Sequence, residues 1–389
     1  METLFWISVL VIGYTFIGYA IVITILARLK KKNSIPELED DDLPEVTLVV
    51  AAYNEADIIE SKVTDCLALD YPVDKLKIFF VTDGSDDGTD QLIQQFPEVR
   101  VFHQAQRKGK IAAVNRVMPH VATEITLFTD ANVMISTNGL RHMVRHFQSN
   151  LVGAVSGEKV VFSKEKDAAS ASGEGLYWKY ESLLKRKDAE WNSLVGAAGE
   201  LFAIRTNLYE NVATDVIIED FIMTMGIAMR IYKVAYEPLA IASETASANI
   251  KEETKRKIRI AAGGLQAILR MLPLLNFFRY KGLSFQYISH RVLRWTLVPI
   301  AMLSLLLTNV ALLNDHVVYQ VVFVAQTLFY TSSFSGYLLQ NRNIRVKGFF
   351  APYYFVFMHI CVVRGWFRYL AGNQQVTWEK AKRMAMQVK

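Results

Sequence analysis

The chain has 389 residues, of which 52% are hydrophobic, and a formal net charge of +5 at pH 7. This hydrophobic fraction is high for a soluble protein and predicts membrane-spanning segments. The two cysteines, Cys66 and Cys361, provide neither a disulfide framework nor a zinc cluster.

The first predicted element is a membrane-spanning helix over residues 4–27, a segment without any charged residue. At about 1.5 Å per residue it is long enough to cross a hydrocarbon core of about 30 Å. A signal peptide is disfavoured because no basic region precedes the segment, which is also too long for an h-region. Four basic residues follow within the next five positions, and the positive-inside rule places them in the cytoplasm.

An acidic linker with two prolines, NSIPELEDDDLPE, comes next, and apolar strands then alternate with amphipathic helices. The predicted strands are EVTLVVAA, LKIFFVT, VRVFHQ and EITLFTD, and the helices between them are EADIIESKVTDCLAL, TDQLIQQF and KIAAVNRVM. Continuous apolar strands separated by helices predict an α/β domain with a mostly parallel sheet.

Polar clusters follow three of these strands. The first strand ends in AAYNE, the second ends at Asp83, and the fourth ends in TDAN, which contains Asp130 and Asn132. In such sheets ligands bind beyond the carboxyl ends of the strands, so the clusters predict one ligand site at that edge. Oxygen atoms of Asp130 and Asn132 suit Mg²⁺ or Mn²⁺, and Asp83 is placed to accept a hydrogen bond from a base edge. Ordinary turns and helix caps would use the same residue types.

Three later stretches of the sequence contain further candidate binding or catalytic residues. RKGKIAAVN places Lys108 and Lys110 before a helix N-terminus, where a phosphate would bind or a basic turn would be solvated. GAAGELFAIR combines closely spaced glycines with an apolar strand, as a tight turn also would. DVIIEDF places Glu219 and Asp220 after an apolar run, where a carboxylate serves either as a general base or as a helix cap.

Apolar segments return near the C-terminus, at residues 295–313 and 317–339. A shorter one, 349–363, precedes two arginines and either crosses the membrane or lies in it as a re-entrant or interfacial segment. The stretch AAGGLQAILRMLPLLNFFRYKG is typical of a helix lying on the membrane surface. Because much of the basic excess lies beside these segments, lipid head groups explain it better than nucleic acid.

Taken in order, AAYNE, Asp83, KGKIAAVN, TDAN, GAAGE and IIED resemble the membrane-embedded family-2 glycosyltransferases. That family includes poly-N-acetylglucosamine, chitin, hyaluronan and cellulose synthases. The resemblance runs from about residue 46 to the late spans and implies a GT-A nucleotide-sugar-binding domain, with a mostly parallel sheet, plus transmembrane helices. The implied divisions are a transmembrane helix at 1–29, a cytoplasmic GT-A domain at 30–250, interfacial helices at 251–290, a bundle of about three spans at 291–372 and a basic tail at 373–389.

The resemblance also implies roles for individual residues. Contacts to the nucleotide sugar fall on Ala52, Tyr53, Glu55, Asp83, Lys110 and Asp130. Metal ligands fall on Asp130 and Asn132, and the acceptor side on Gly196, Gly199 and Glu219. Asp220 corresponds to the catalytic base, and Arg256 and Arg259 to the contacts with the leaving group or product.

Two departures from the family pattern bear on activity. The second metal acid is Asn132, which loses one negative charge but keeps an oxygen ligand. RKIRI, 256–260, replaces the Q-x-x-R-W pattern, so Ile260 stands where a stacking aromatic is expected. The second departure affects the formation of long chains more than catalysis itself.

The expected activity is inverting transfer from a uridine-diphosphate sugar to a saccharide or lipid-linked acceptor, with Mg²⁺ or Mn²⁺, in exopolysaccharide synthesis. The expected location is the plasma (inner) membrane, in a multi-pass chain with a cytoplasmic catalytic domain and with export or accessory subunits as partners. One alternative is transfer of a single sugar to a polyprenyl phosphate or glycolipid. Another is a non-catalytic, nucleotide-binding subunit of an export complex.

Overall fold

The computed structural model describes residues 1–374 apart from 32–34, 163–167, 246, 248 and 342–346. Its contacts divide the described chain into two units. The sheet unit comprises Lys31–Phe162 and Asn192–Glu252. The helical unit comprises Met1–Lys30, Ser163–Trp191 and Glu253–Gln374. The domain limits inferred from the sequence stay predictions.

The strands of the sheet unit form one sheet. They are β1 Val46–Ala52, β2 Leu76–Asp83, β3 Val99–Gln104, β4 Ile125–Asp130, β5 Met134–Ile135, β6 Val152–Phe162, β7 Leu201–Arg205 and β8 Lys233–Thr245. Their order is β3-β2-β1-β4-β7-β6-β8-β5. Four neighbouring pairs are parallel, namely β1/β2, β1/β4, β2/β3 and β6/β8, while β4/β7, β6/β7 and β5/β8 are antiparallel. The prediction of a mostly parallel α/β sheet is confirmed.

The described α-helices have the following bounds in chain order. They are α1 Glu2–Gly13, α2 Tyr19–Leu29, α3 Ile59–Leu67, α4 Thr89–Ile93, α5 Lys110–Val117, α6 Gly139–Val144, α7 Ala168–Trp191, α8 Glu219–Met229, α9 Ile250–Arg270, α10 Phe277–Tyr280, α11 Gly282–Tyr287, α12 Leu293–Trp295, α13 Leu297–Ala311, α14 Val317–Asn341 and α15 Lys347–Leu370. Helices α3 to α6 and α8 belong to the sheet unit, and α7 belongs to the helical unit.

The register of the central strands places the polar clusters at one level. Ala52 at the end of β1 pairs with Thr82, next to Asp83, and Ala51 pairs with Asp130 at the end of β4. Asp83 and Asp130 therefore flank the end of β1. The strand itself is buried on both faces, since Val46, Leu48 and Val50 are 0% exposed and Thr47 is buried as well. Such a buried and mainly apolar strand is typical of a parallel sheet covered on both sides.

In the helical unit, three helices are long and apolar enough to cross a membrane: Glu2–Leu29, Val317–Gln340 and Gly348–Leu370, counted over the described residues. The span expected at 295–313 corresponds to α13, Leu297–Ala311, which is continuous but is preceded by a bend at Thr296. Gly282–Trp295 and Leu297–Ala311 meet at an angle of 54°, as in a broken span or a re-entrant loop. Pro299 accounts for the break, because its ring excludes the carbonyl of residue 295 and it has no N–H to donate to that carbonyl.

The last apolar segment forms a longer helix than its sequence indicated. It continues through Arg364 and Arg368 to Leu370 in α15. Long basic side chains bury their aliphatic stems while the charged ends reach polar surroundings, so they need not end an apolar helix. Residues 375–389 of the predicted tail lie outside the described residues. The interfacial location of 251–290 stays a prediction.

Candidate active site

The loops that follow β1 and β2 are joined by hydrogen bonds. The Asn54 amide donates to Asp86 at 2.8 Å, and its oxygen accepts the Asp86 N–H at 3.0 Å. The N–H of Ala56 donates to Asp87 at 3.1 Å. Asp86 and Asp87 therefore hold the AAYNE loop in place. Asp90 accepts a hydrogen bond from Gln91 and lies 3.8 Å from His103, so among the four acids of FVTDGSDDGTD we take Asp83 as the candidate for ligand recognition.

Asp83 is 5% exposed, and its two carboxylate oxygens differ. Oδ2 accepts the backbone N–H groups of Lys108 at 2.9 Å and Gly109 at 2.6 Å. Oδ1 has no hydrogen-bond partner within the described chain, and the nearest cation is Arg116 at 3.7 Å. A buried acceptor without a partner is uncommon, so Oδ1 is suited to accept one N–H from a ligand.

Tyr53 is linked to Asp83 through the loop 107–109. The guanidinium of Arg107 stacks over the Tyr53 ring, 3.7 Å from its centroid. The backbone of Arg107 in turn lies so close to Gly84 that a Cβ there would come within 2.9 Å of it. The loop 107–109 thus covers the end of β2 and brings together the predicted nucleotide contacts Tyr53 and Asp83.

Lys110 connects the ends of two elements. Its ammonium lies 2.6 Å from Oδ1 of Asp130, at the end of β4, and 2.9 Å from Oε1 of Glu219, at the start of α8. Burial alone would lower the pKa of Lys110, but the two carboxylates outweigh it and raise the pKa above its ordinary value. Lys110 is therefore a permanent positive charge between Asp130 and Glu219, the acids predicted for the donor side and the acceptor side.

The GAAGE loop packs against the first turn of α8. Gly196 has a φ of +82°, and a side chain there would collide with the Phe221 ring. A Cβ at Gly199 would come 3.1 Å from Oδ2 of Asp220. The structure therefore brings the predicted acceptor-side residues Gly196, Gly199 and Glu219 together around Asp220.

The pKa of Asp220 is raised from its ordinary value to about 7. Burial is the largest cause, the neighbouring Glu219 carboxylate adds to it, and the Lys110 charge opposes it. Glu200 raises the pKa further. A carboxylate with a pKa near neutrality is well matched to proton transfer at physiological pH.

A buried ion-pair cluster that was not predicted from the sequence lies beside this loop. Lys159 on β6 is 5% exposed and pairs with Glu200 and Glu244. Glu200 follows Gly199 directly and could have been suspected from that position. Lys159 gives no local signal, because it lies 41 residues earlier in the chain.

The oxygen ligands predicted for a metal are few. Among the described residues, no group of three or more His, Cys, Asp or Glu side chains is arranged to hold a metal ion. The Asp130 side chain is 28% exposed, and Asn132 is 7% exposed with a buried Nδ2 that has no hydrogen-bond partner within the described chain. This donor set fits Mg²⁺ or Mn²⁺ only in the mode in which one or two protein oxygens bind the ion and phosphate and water oxygens complete its shell.

The remaining predicted residues lie as follows. Ala52 is the buried last residue of β1, and the N–H of Glu55 donates to Thr89 at 2.9 Å. Arg256 and Arg259 lie on α9, where Arg256 is 3.3 Å from Glu253. The roles of these residues toward a ligand stay predictions.

Comparison with known proteins identifies relatives of this arrangement. Residues 47–212 match the family model "Glycosyl transferase family 2". The chain is 28% identical over 252 residues to a poly-beta-1,6-N-acetyl-D-glucosamine synthase of Staphylococcus aureus (strain MSSA476), covering 61% of this chain and 59% of that protein. The synthase of Staphylococcus epidermidis is 24% identical over 310 residues, covering 76% of this chain and 72% of that protein.

Among solved structures, the chain is similar to the mannosyltransferase PcManGT from Pyrobaculum calidifontis, in complex with GDP-Man and Mn²⁺. The TM-score is 0.73 at 20% identity, over 95% of this chain and 100% of that one. At this identity the likeness shows a shared fold.

Proposed function

We propose that this chain, which carries a glycosyltransferase family 2 domain with the GT-A fold, transfers a sugar from a uridine-diphosphate sugar to a hydroxyl of a saccharide or lipid-linked acceptor. One observation carries the proposal. Residues 108–110 contact both sides of the site, because the N–H groups of Lys108 and Gly109 hold Asp83 while the Lys110 side chain joins Asp130 to Glu219, the neighbour of Asp220. Base recognition, diphosphate binding and proton transfer would thus be adjacent.

The hydrogen bonding of Asp83 supports uridine as the nucleoside. Uracil offers a single imide N–H between two carbonyls, whereas guanine offers two adjacent donors that match both oxygens of a carboxylate. Since Oδ2 already accepts two backbone N–H groups, only Oδ1 remains for a base. One acceptor suits uracil better than guanine.

Asp130, assisted by Asn132, would hold a divalent cation, which neutralises charge on the leaving diphosphate when it is bound. Asp220 accepts the proton of the acceptor hydroxyl. The hydroxyl oxygen then forms a bond to the anomeric carbon from the face opposite the diphosphate, and the bond between that carbon and the diphosphate oxygen breaks. Uridine diphosphate leaves, and an α-linked donor gives a β-linked product.

The relatives support a hexose or N-acetylhexosamine donor and a polysaccharide product. Ile260, where an aromatic is expected, favours the second candidate, transfer of one sugar to a lipid-linked acceptor, because the surface for sugar stacking is lost. The candidate spans and the basic residues that follow Leu29 support a multi-pass chain in the plasma (inner) membrane with a cytoplasmic sheet unit. If the product is a polymer, export or accessory subunits would receive it.

The test uses the purified full chain in nanodiscs with UDP-N-acetylglucosamine, UDP-glucose and GDP-mannose. Release of free nucleotide and the length of the labelled product are measured, and a long or a single-sugar product separates the two candidates. We expect turnover of a uridine donor, and in Asp220→Asn a loss of kcat of about 10²–10⁴-fold with unchanged nucleotide binding. Binding of uridine diphosphate without turnover would instead support the non-catalytic subunit.

A further inference from the structure

Lys62 on α3 is a charged side chain without any exposed surface. Its ammonium lies 2.9 Å from Oδ2 of Asp65 and donates a hydrogen bond to the backbone carbonyl of Val133. A buried charge is costly unless it is paired and hydrogen-bonded, and both conditions are met here. The contact joins α3 to a segment 71 residues later in the chain.

Asp65 holds the same segment at a second point. Both of its oxygens lie 3.2 Å from the N–H of Ile135 and accept it. The Lys62–Asp65 pair therefore fixes one carbonyl and one N–H within three consecutive residues. This segment follows the TDAN turn directly, and the N–H of Val133 donates back to the carbonyl of Asp130 at 3.2 Å.

The conformation of the TDAN turn depends on hydrogen bonds to its backbone and to the residues that follow it. Asn132 is 7% exposed, and its Nδ2 has no hydrogen-bond partner among the described residues. The direction of this side chain therefore follows from the backbone of the turn. That backbone is held by Ala131, whose N–H donates to Ala51 at 3.2 Å, and by the Lys62–Asp65 pair on the following residues.

We propose that Lys62 is a positioning residue for the diphosphate end of the donor site, acting through the turn that carries Asp130 and Asn132. The inference rests on the proposed function. The base end of the site is held by other contacts, from the N–H groups of Lys108 and Gly109 to Asp83. Loss of Lys62 therefore weakens diphosphate binding and leaves recognition of the nucleoside unchanged.

The test measures binding rather than turnover. Uridine and uridine diphosphate, each with and without Mn²⁺, are titrated by calorimetry into the full chain and into Lys62→Met. We expect the wild-type chain to bind uridine diphosphate more tightly with Mn²⁺. In Lys62→Met this gain falls at least tenfold, while uridine affinity stays within twofold.

Two further variants complete the design. Asp65→Asn keeps an amide oxygen for the Ile135 N–H but removes the counterion of Lys62. We expect this variant to lose part of the Mn²⁺-dependent gain in uridine diphosphate affinity. It also serves as the test if Lys62→Met does not fold. Lys77→Met is the matched control, because Lys77 forms an exposed ion pair with Glu45 at 3.1 Å in the same unit. We expect it to bind as the wild type does.

Unchanged Mn²⁺-dependent binding in both Lys62→Met and Asp65→Asn would overturn the inference. An equal loss of uridine and uridine diphosphate affinity would also overturn it, because it would indicate a general structural role. If the wild-type chain did not bind uridine diphosphate, the proposed function would fail first and the inference with it.

Discussion

The ammonium of Lys110 lies 2.6 Å from a carboxylate oxygen of Asp130, the predicted metal ligand. Because the same ammonium also contacts Glu219 at 2.9 Å, one positive charge links the predicted donor side of the site to the predicted acceptor side. It also lowers the pKa of Asp220 against the effect of burial. Removal of the Lys110 charge should therefore change the pKa of Asp220, the proposed base.

Lys110→Met tests this link. Without the Lys110 charge, the pKa of Asp220 rises above about 7, so the base is protonated over more of the physiological range. We expect the ascending limb of the pH dependence of kcat to move to higher pH and kcat at neutral pH to fall at least tenfold. Lys77→Met is the matched control, since Lys77 forms an exposed ion pair with Glu45 and its charge is not among the causes of the raised pKa of Asp220. An unmoved pH profile in Lys110→Met would contradict the link.

The pH dependence of the wild-type enzyme follows from the raised pKa of Asp220. A general base must be deprotonated, so kcat rises with pH through about 7. Glu219→Gln removes a neighbouring negative charge that raises this pKa. We therefore expect the midpoint of the ascending limb to move to lower pH, measured as nucleotide release between pH 5 and 9.

Glu210→Gln is the control for that experiment. Glu210 is exposed and pairs with Arg230 at 2.8 Å on the surface of the same unit. Its charge is not among the causes of the raised pKa of Asp220. A shift of equal size in both variants would mean that the neighbourhood of Glu219 does not set the pKa of the base.

Asp83→Asn should change the choice of base. An amide can still accept a backbone N–H through its oxygen, but its NH₂ group then replaces Oδ1 and opposes the imide N–H of uracil. Hydrogen bonds to charged groups contribute about 1.5–3 kcal/mol, so uridine diphosphate affinity should fall about 10–100-fold. Cytidine diphosphate, whose ring nitrogen is an acceptor, should lose less or gain. Asp86→Asn is the control, because Asp86 is exposed and its side chain binds Asn54. Equal losses of uridine diphosphate affinity in both variants would argue against base recognition by Asp83.

Removal of divalent cations should abolish transfer, and Mn²⁺ or Mg²⁺ should restore it. Asn132→Asp restores a second carboxylate beside Asp130, so the Mn²⁺ concentration for half-maximal activity should fall about tenfold, since ligand charge strengthens the binding of a hard cation. Asn132→Ala should raise the Mn²⁺ concentration required for half-maximal activity. Activity that persists in excess EDTA, or an Mn²⁺ requirement that is the same in all three chains, would count against a metal held by this turn.

The sequence was sufficient to predict strands β1 to β4 and their parallel arrangement, but not the parallel pair β6/β8. The strand VRVFHQ was predicted with the bounds that the structure gives to β3, Val99–Gln104. The prediction that Asp83 and Asp130 lie at one edge also followed from topology, since the carboxyl ends of parallel strands lie together. These features depend on hydrophobic periodicity and connection order, both of which can be read along the chain.

The break at Thr296 and the full length of α15 were not predicted. A stretch of apolar residues indicates membrane affinity but does not specify where a helix bends or whether it continues past an arginine. Pro299 provided a local signal for the break, whereas the continuation of α15 depends on the packing of its neighbours.

The sequence by itself determined the class of fold, the chemical type of the candidate site and the edge of the sheet at which that site lies. Only the tertiary structure decided the distant partners of the charges: Lys110 with Asp130 and Glu219, Lys159 with Glu200 and Glu244, and Lys62 with the carbonyl of Val133. The physical reason is range. Strand and helix periodicity arises between near neighbours, whereas these pairings form only when distant segments pack together. The charge of Lys110 moderates the pKa of Asp220, which burial raises most.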